Sequence, residues 1–284
     1  MTTVPLPGLL GQPIRRREDA RLMTGTATYV DDLHLPGMVY LQVVRSPYAH
    51  ARVGSIDVSA ALAAPGVVAA FTAADLTDSV KAPMPLEIPL DPFENVQTMA
   101  RGPLATDKAR YVGDPVAVVV AETRYGARDA AELVEVEYEP LPVVVDPERA
   151  MDANAPLLFE DWGTNVGMTQ SLSCGDPEGA FQAADRVVRL RIHNQRILPV
   201  AVEGRGCVAD WRPTGPGGAG ELTLWSSTQI PHGLRTRLAV ILGLPENCIR
   251  VVAPDVGGGF GNKVDVAPEE VACAITAMRL GRPV

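Results

Sequence analysis

The densest group of chemically permissive residues in this chain is Asp255-Val256-Gly257-Gly258-Gly259-Phe260-Gly261-Asn262-Lys263. Four of its five positions 257–261 are glycine. Backbone without Cβ atoms lets an anion or a planar group approach closely, and successive N–H groups in such a loop form an anion-binding concavity. The same glycines equally suit a permissive strand-to-helix turn. Their spacing is neither that of a Walker A loop nor that of the dinucleotide fingerprint. A second stretch, Gln229-Ile230-Pro231-His232, puts a Gln at the end of an expected strand. Pro231 then opens a helix, where its fixed φ and missing N–H cost nothing. A Gln amide donates to an oxo group without changing charge, although these four residues also make an ordinary helix start. His232 offers a proton relay or a ligand, or simply a structural ring. In a third stretch, Asn194 to Gly206, Glu203 and Arg205 are expected to form an ion pair. A Ser/His/Asp hydrolase finds no support, because there is no G-x-S-x-G and the four His are scattered. No pair of carboxylates stands out from the acidic surface.

These stretches need elements to hold them. Residues 1–20, with Pro5, Pro7, Gly8 and Pro13, are expected to be an extended arm. Thr28-Tyr29-Val30 is expected to be a strand ending at Asp31-Asp32, and Met38 to Arg45 and Gly54 to Val58 to be two more. Ser59 caps a short helix stopped by Pro65-Gly66. Val67 to Thr72 is a strand, and Thr72 opens a helix ending near Leu76. The Pro-rich residues 81–103 predict a long surface excursion. Pro115 to Ala121 has the unbroken apolar character of a strand covered on both faces. A helix capped by Thr123 and the half-buried strand Val134 to Tyr138 follow, so that a compact βαβ unit is expected inside an α+β domain. Pro140, Pro142, Pro147 and Pro156 mark a linker over about residues 146–165. Beyond it the sequence predicts a helix over Asp176 to Ala184 and an alternating strand over Arg186 to His193. A hairpin of Cys207 to Trp211 with Glu221 to Ser226 follows, then a helix over Pro231 to Leu242 and a strand over Ile249 to Val252. The glycine run leads into a last helix, Pro268 to Leu280.

Composition narrows the function classes. With 46% apolar and 21% charged residues in 284, the chain is an ordinary globular one, and its longest apolar run, Val116 to Ala121, is too short to cross a bilayer. A net charge of −9 argues against a nucleic-acid surface. Of the 25 basic residues only Lys81, Lys108 and Lys263 are lysine, which singles each of them out. Cys174, Cys207, Cys248 and Cys273 lie far apart with no C-x-x-C pair, so neither a zinc site nor an iron–sulfur cluster is visible, and a reducing cytoplasm fits best. The triplet Arg15-Arg16-Arg17 is followed by Glu18 and Asp19, which fails the twin-arginine export pattern.

Several motifs, in order and at plausible spacing, point the same way. R-R-E-D-A-R-L-M-T-G-T-A-T-Y-V-D-D (Arg16 to Asp32), R-S-P-Y-A-H-A-R (Arg45 to Arg52) and G-D-P-V-A-V-V-V-A-E-T (Gly113 to Thr123) resemble the α/β hammerhead domain of the molybdenum hydroxylases. That family includes xanthine dehydrogenase, aldehyde oxidase and the aerobic carbon monoxide dehydrogenase type. Glu203-Gly204-Arg205-Gly206 is similar to the family's E-P-R-G, departing at Gly204. S-S-T-Q-I-P-H (Ser226 to His232) and D-V-G-G-G-F-G-N-K (Asp255 to Lys263) are the specific matches. The resemblance therefore implies an α+β chain with a hammerhead domain over residues 21–145. The linker 146–165 leads to the N-terminal part of a molybdopterin-binding α/β domain over 166–284.

The resemblance also implies a site. Gln229 lies beside the metal's oxo group and helps hold the cofactor, while Gly258, Gly259, Phe260 and Gly261 approach the pterin dithiolene, with Phe260 at the substrate channel. No residue of this chain is expected to ligate the metal. The cofactor is molybdenum–molybdopterin, in a dinucleotide form such as the cytosine dinucleotide. FAD and 2Fe–2S clusters are expected on a medium and a small partner subunit. The implied reaction inserts water-derived oxygen into an aldehyde, an N-heterocycle or a carbon monoxide-like substrate. Val264 stands where purine-oxidising members carry a Glu, which disfavours xanthine. The family's general-base Glu lies in a C-terminal half outside these residues, so the chain alone is expected to be inactive and to need that half or a second large-subunit chain. The alternatives are a catalytically inactive fragment or scaffold subunit and, more weakly, an independent nucleotide-binding domain.

Overall fold

The computed structural model describes residue 8 and residues 11–84, 93–99, 101–214 and 220–284. The expected N-terminal arm, the Pro-rich excursion and the turn of the expected hairpin lie partly outside the described residues. Helix α1 (Asp19–Met23) precedes strands β1 (Tyr40–Arg45) and β2 (Ala51–Asp57), then α2 (Ser59–Ala63), β3 (Val67–Thr72) and α3 (Ala73–Leu76). Next come β4 (Lys108–Ala109), β5 (Pro115–Ala121), α4 (Arg124–Ala131) and β6 (Glu135–Pro140). After a connecting stretch the chain forms α5 (Pro177–Ala183), β7 (Cys207–Pro213), β8 (Gly220–Ser226), α6 (Pro231–Leu242), β9 (Ile249–Val252) and α7 (Pro268–Leu280).

Strand β5 is buried along its whole length and lies antiparallel between β1 and β3. Val119 faces Ala61 of α2 and Ala130 of α4, while Val118 and Val120 join the main core on the other side. Thr123 caps α4 as expected, its hydroxyl accepting from Gly126 N at 3.0 Å. The expected βαβ unit does not form. Both edges of β5 are taken by β1 and β3, so β6 finds no free edge beside it and pairs antiparallel with β2 in a second sheet, β4-β2-β6. Three smaller expectations also change. Residues Val30–Asp32 wind into a 3-10 turn rather than ending a strand. Ser59 is the first residue of α2 and is not its cap; Asp57 accepts from its backbone N at 2.8 Å instead. Residues 186–193 form no strand, because no neighbouring strand is there to pair with among the described residues.

The third sheet, β7-β8-β9, pairs β7 with β8 antiparallel and β8 with β9 parallel. Helix α7 is buried from Val271 to Ala277, and its small residues Ala272, Ala274 and Ala277 let neighbouring layers approach closely. One apolar cluster joins Val118 and Val120 of β5 to Leu222 and Leu224 of β8, Leu238 and Ile241 of α6 and Ile275 of α7. Beyond α7, Val284 exchanges two 2.9 Å backbone bonds with Ala209 of β7, and Pro283 accepts from Val39 N. The glycine-rich loop 253–263 thus hangs between β9 and α7, both anchored in this core. No helix among the described residues is long and apolar enough to cross a membrane.

Candidate functional site

The structure brings all three chemically permissive stretches together. Gln229 leaves the end of β8 and reaches the glycine loop. Its Oε1 accepts from Gly261 N at 3.1 Å and from Lys263 N at 3.2 Å, and its own backbone N donates to Lys263 O at 2.9 Å. With the oxygen held by two loop amides, the nitrogen of this exposed residue is left as a donor without a protein acceptor among the described residues. Contact is close enough to require glycine: a Cβ on Gly259 would stand 2.4 Å from Gln229 Oε1. Gly258 has φ +102° and Gly261 φ +86°, backbone that other residues rarely adopt. Phe260 adopts φ 52° without that freedom, and its ring is 74% exposed, lying against the Gly258 backbone. Among the described residues, the backbone N–H groups of Gly258, Gly259 and Phe260 donate to no protein acceptor. That row of free donors suits an anionic group.

The expected Glu203–Arg205 pair does not exist, because each side chain has a better-placed partner. Glu203 Oε2 accepts from Gly257 N at 2.7 Å, from the Ser227 hydroxyl at 2.5 Å and from Lys263 Nζ at 3.0 Å. Lys263 Nζ also donates to Ser227 Oγ at 2.6 Å, and the lysine is 4% exposed. Burial alone would push the Glu203 carboxyl up, but the Ser227 hydroxyl, the Gly257 amide and the ammonium outweigh it and hold the group below its ordinary value. The sequence marks Lys263 as one of three lysines but gives no sign that Glu203 and Ser227 are its partners. That compositional signal, a lysine in a chain that otherwise uses arginine, is the one feature of the cluster visible in the sequence. A compact ammonium fits the space between a carboxylate and a hydroxyl in a way that a planar guanidinium does not.

The neighbouring hydroxyls serve the same purpose. Buried Ser226 donates to Glu270 Oε1 of α7, and Thr228 Oγ1 donates to Lys263 O at 3.4 Å. Burial pushes the Glu270 carboxyl up, against the opposing hydrogen bonds of Ser226 and Ala267 N. Arg205 turns instead to Glu269, donating to Oε1 at 3.4 Å, and Arg45 of β1 donates to the same oxygen. For Glu269 desolvation again works upward, yet the two guanidiniums hold the carboxyl down. Asp255, just before the glycines, accepts from Arg21 Nη2 at 2.6 Å and from Thr28 N at 3.1 Å, which ties the N-terminal segment to this loop. A cavity of about 590 Å³ lies beneath these loops between Glu203, Arg205, Lys263 and Glu269. A second, of about 790 Å³, opens at Gly261 and Asn262 and is lined by Arg101, Arg110 and Arg205.

Of the residues singled out in the sequence, Gln229, Gly258, Gly259, Phe260 and Gly261 therefore form one surface. His232 lies exposed on the first turn of α6, its backbone O accepting from Thr236, and joins none of these contacts. No cluster of three or more His, Cys, Asp or Glu side chains that could hold a metal occurs among the described residues. The donors present suit a group held by hydrogen bonds and close backbone contact rather than by metal ligation.

Comparison with known proteins matches residues 24–142 to the aldehyde oxidase and xanthine dehydrogenase a/b hammerhead domain and residues 158–284 to the molybdopterin cofactor-binding domain. The carbon monoxide dehydrogenase large chain of Afipia carboxidovorans is 42% identical over 97% of this chain and 34% of its own length. The nicotine 6-hydroxylase large subunit of Paenarthrobacter nicotinovorans is 39% identical over 97% of this chain and 33% of its own length. The crystal structure of quinoline 2-oxidoreductase from Pseudomonas putida 86 superposes with a TM-score of 0.85 at 39% identity, covering 95% of this chain and 33% of that one. The chain thus spans about a third of the length of the relatives it matches.

Proposed function

Since the chain belongs to the aldehyde oxidase and xanthine dehydrogenase family of molybdenum hydroxylases, we infer that it supplies one wall of a molybdopterin site. Gln229, Gly258, Gly259, Phe260 and Gly261 face the cofactor. The observation that carries this reading is the two-amide grip on Gln229 Oε1, which fixes the side chain and leaves its nitrogen, a neutral donor, with no protein acceptor among the described residues. The free N–H groups of residues 258–260 add donors for the negative charge of a dithiolene or phosphate. When bound, the molybdenum–pterin group supplies the two-electron chemistry that places water-derived oxygen on an electrophilic carbon. The protein's share here is to bind and orient. Gln229 steadies an oxo oxygen, the glycines admit a planar group at backbone distance, and Phe260 limits the approach of substrate. Lys263 and Glu203 keep the loop in that shape from behind.

The substrate is a small aldehyde, an N-heterocycle or a carbon monoxide-like molecule. Val264, exposed and next to Lys263, offers no carboxylate to a purine edge. Electrons leave through 2Fe–2S and FAD partner subunits, and the pterin carries an appended nucleotide, for which the cytosine form is the first choice. A general base comes from polypeptide other than this chain. The test is to express the assembled complex containing this chain and to measure molybdenum by mass spectrometry, with and without Gln229→Ala. Stoichiometric metal that falls severalfold in the variant supports the assignment. An assembled complex with no molybdenum, or with unchanged metal content and turnover after Gln229→Ala, overturns it.

A further inference from the structure

The second cavity, of about 790 Å³, is of the size that holds a small organic ligand. It opens at Gly261 and Asn262, and Gly261 is one of the two residues whose N–H groups grip Gln229. Its walls come from both matched domains, residues 99–114 on the hammerhead side and residues 261–269 on the cofactor-binding side. Those walls are tied together within this chain, because Arg45 of β1 donates to Glu269 of α7 and Lys108 of β4 donates to Glu160. The charge inside runs against that of the chain. A protein of net charge −9 gathers here six cationic side chains against three carboxylates. Two of those carboxylates are engaged. Glu269 serves Arg45 and Arg205, and Asp114 accepts from Arg110 N at 3.0 Å and from the Tyr111 hydroxyl.

Arg101 is the cation without a local partner. Its backbone O accepts from Met84 N at 2.8 Å, which fixes the residue in the wall. Its guanidinium acts on Asp114 and Tyr111 through charge alone and makes no hydrogen bond or ion pair among the described residues. Such a group offers a planar fork of N–H donors that matches a carboxylate. Met99, Tyr111 and Val112, which line the same cavity, give apolar surface for the body of a planar molecule. We propose that this cavity is the path by which substrate reaches the Gln229–Phe260 surface, and that Arg101 selects an aldehyde or N-heterocycle bearing a carboxylate. The proposal rests on the molybdopterin reading for what happens to that substrate, and it sets the carbon monoxide-like option aside. Held in the Arg101 fork by its carboxylate, the substrate keeps its remaining length free to extend past Gly261.

The test uses the assembled complex containing this chain, with its molybdenum content measured separately. Calorimetry compares isonicotinate with isonicotinamide, which has nearly the same shape and no charge. The carboxylate should bind at least about tenfold more tightly, the discrimination expected of a charge-assisted hydrogen bond. Arg101→Ala should erase that preference and Arg101→Lys should keep most of it. Bound isonicotinate should also slow hydrogen exchange at the Gly261 and Asn262 amides. Equal binding of the two compounds, a preference that survives Arg101→Ala, or unchanged exchange at Gly261 and Asn262 each overturns the proposal. So does tighter binding of inorganic phosphate than of the carboxylate, which marks a seat for a cofactor phosphate instead. A molybdenum-loaded complex without the preference removes this proposal and leaves the cofactor assignment standing. The preference in a complex that carries no molybdenum does the reverse.

Discussion

Replacing Lys263 by Met keeps the stem of the side chain and deletes the ammonium that joins Glu203 to Ser227. Glu203 retains the Ser227 hydroxyl and the Gly257 amide, and its side chain is 19% exposed, so water replaces part of what is lost. Breaking a fully buried pair costs about 3–5 kcal/mol. With partial exposure and two surviving donors, a loss of about 2–3 kcal/mol is expected here. At tenfold per 1.4 kcal/mol this makes local opening of the loop roughly 30- to 150-fold more frequent, read as faster hydrogen exchange at Gly257, Gly261 and Lys263. If the opening is global, the melting temperature falls by roughly 4–10 °C. The sign with pH is fixed by the Glu203 carboxyl, which the folded protein holds below its ordinary value. Its stabilisation is full above the unfolded value of about 4.3 and is lost as the pH falls through the folded one. The gap between wild type and Lys263→Met should therefore be largest near neutrality and close in acid. Glu203→Gln combined with Lys263→Met should cost less than the sum of the single changes. Loop exchange within twofold of wild type, or a gap unchanged down to about pH 3, would refute the role given to this cluster.

Three further outcomes follow from the same geometry. Gly259→Ala sets a Cβ 2.4 Å from Gln229 Oε1; it should destabilise by about 1–3 kcal/mol, measured by denaturant titration, and lower the molybdenum content of the assembled complex. Phe260→Gly relieves a φ of 52° while giving up an exposed ring; thermal denaturation should show no loss and a gain of up to about 1 kcal/mol, whereas Phe260→Ala shows no such gain. Glu270→Gln removes a carboxyl that burial pushes up. For a raised acid, stability is lost as the pH rises through the folded value, so the variant should melt above wild type at pH 8 and lose that advantage toward pH 5.

Much of the fold could be read locally because its signals are local. Pro231 and Pro268 at helix starts, Gly243 and Gly281 at helix ends and the unbroken valines of β5 define their elements within a few residues. Failures came where the partner was remote. The alternation of residues 186–193 has strand period, but a strand exists only with a neighbour, and the sequence of the segment does not contain one. Strand β6, expected over Val134 to Tyr138 and found at Glu135–Pro140, lies in a different sheet from the expected one, because edge availability on β5 depends on β1 and β3 rather than on α4.

The candidate site divides along the same line. Gln229 and the glycines were legible because their chemistry is carried by residue type and by conformations that few residues tolerate. The pairing of Glu203 was not, since an acid two residues from an arginine suggests a local pair. In a strand or extended loop, however, residues at that spacing share one face and both reach outward to other elements. Here they diverge, Glu203 toward the glycine loop and Arg205 toward Glu269 of α7. This divergence gives the stretch 203–206 its structural meaning. It clamps the loop before α7 with one side chain and the first turn of α7 with the other, and neither contact uses the backbone donors of residues 258–260. A charge pair placed at Gly257 in this way fixes the shape of the loop while leaving those three donors free of protein acceptors among the described residues.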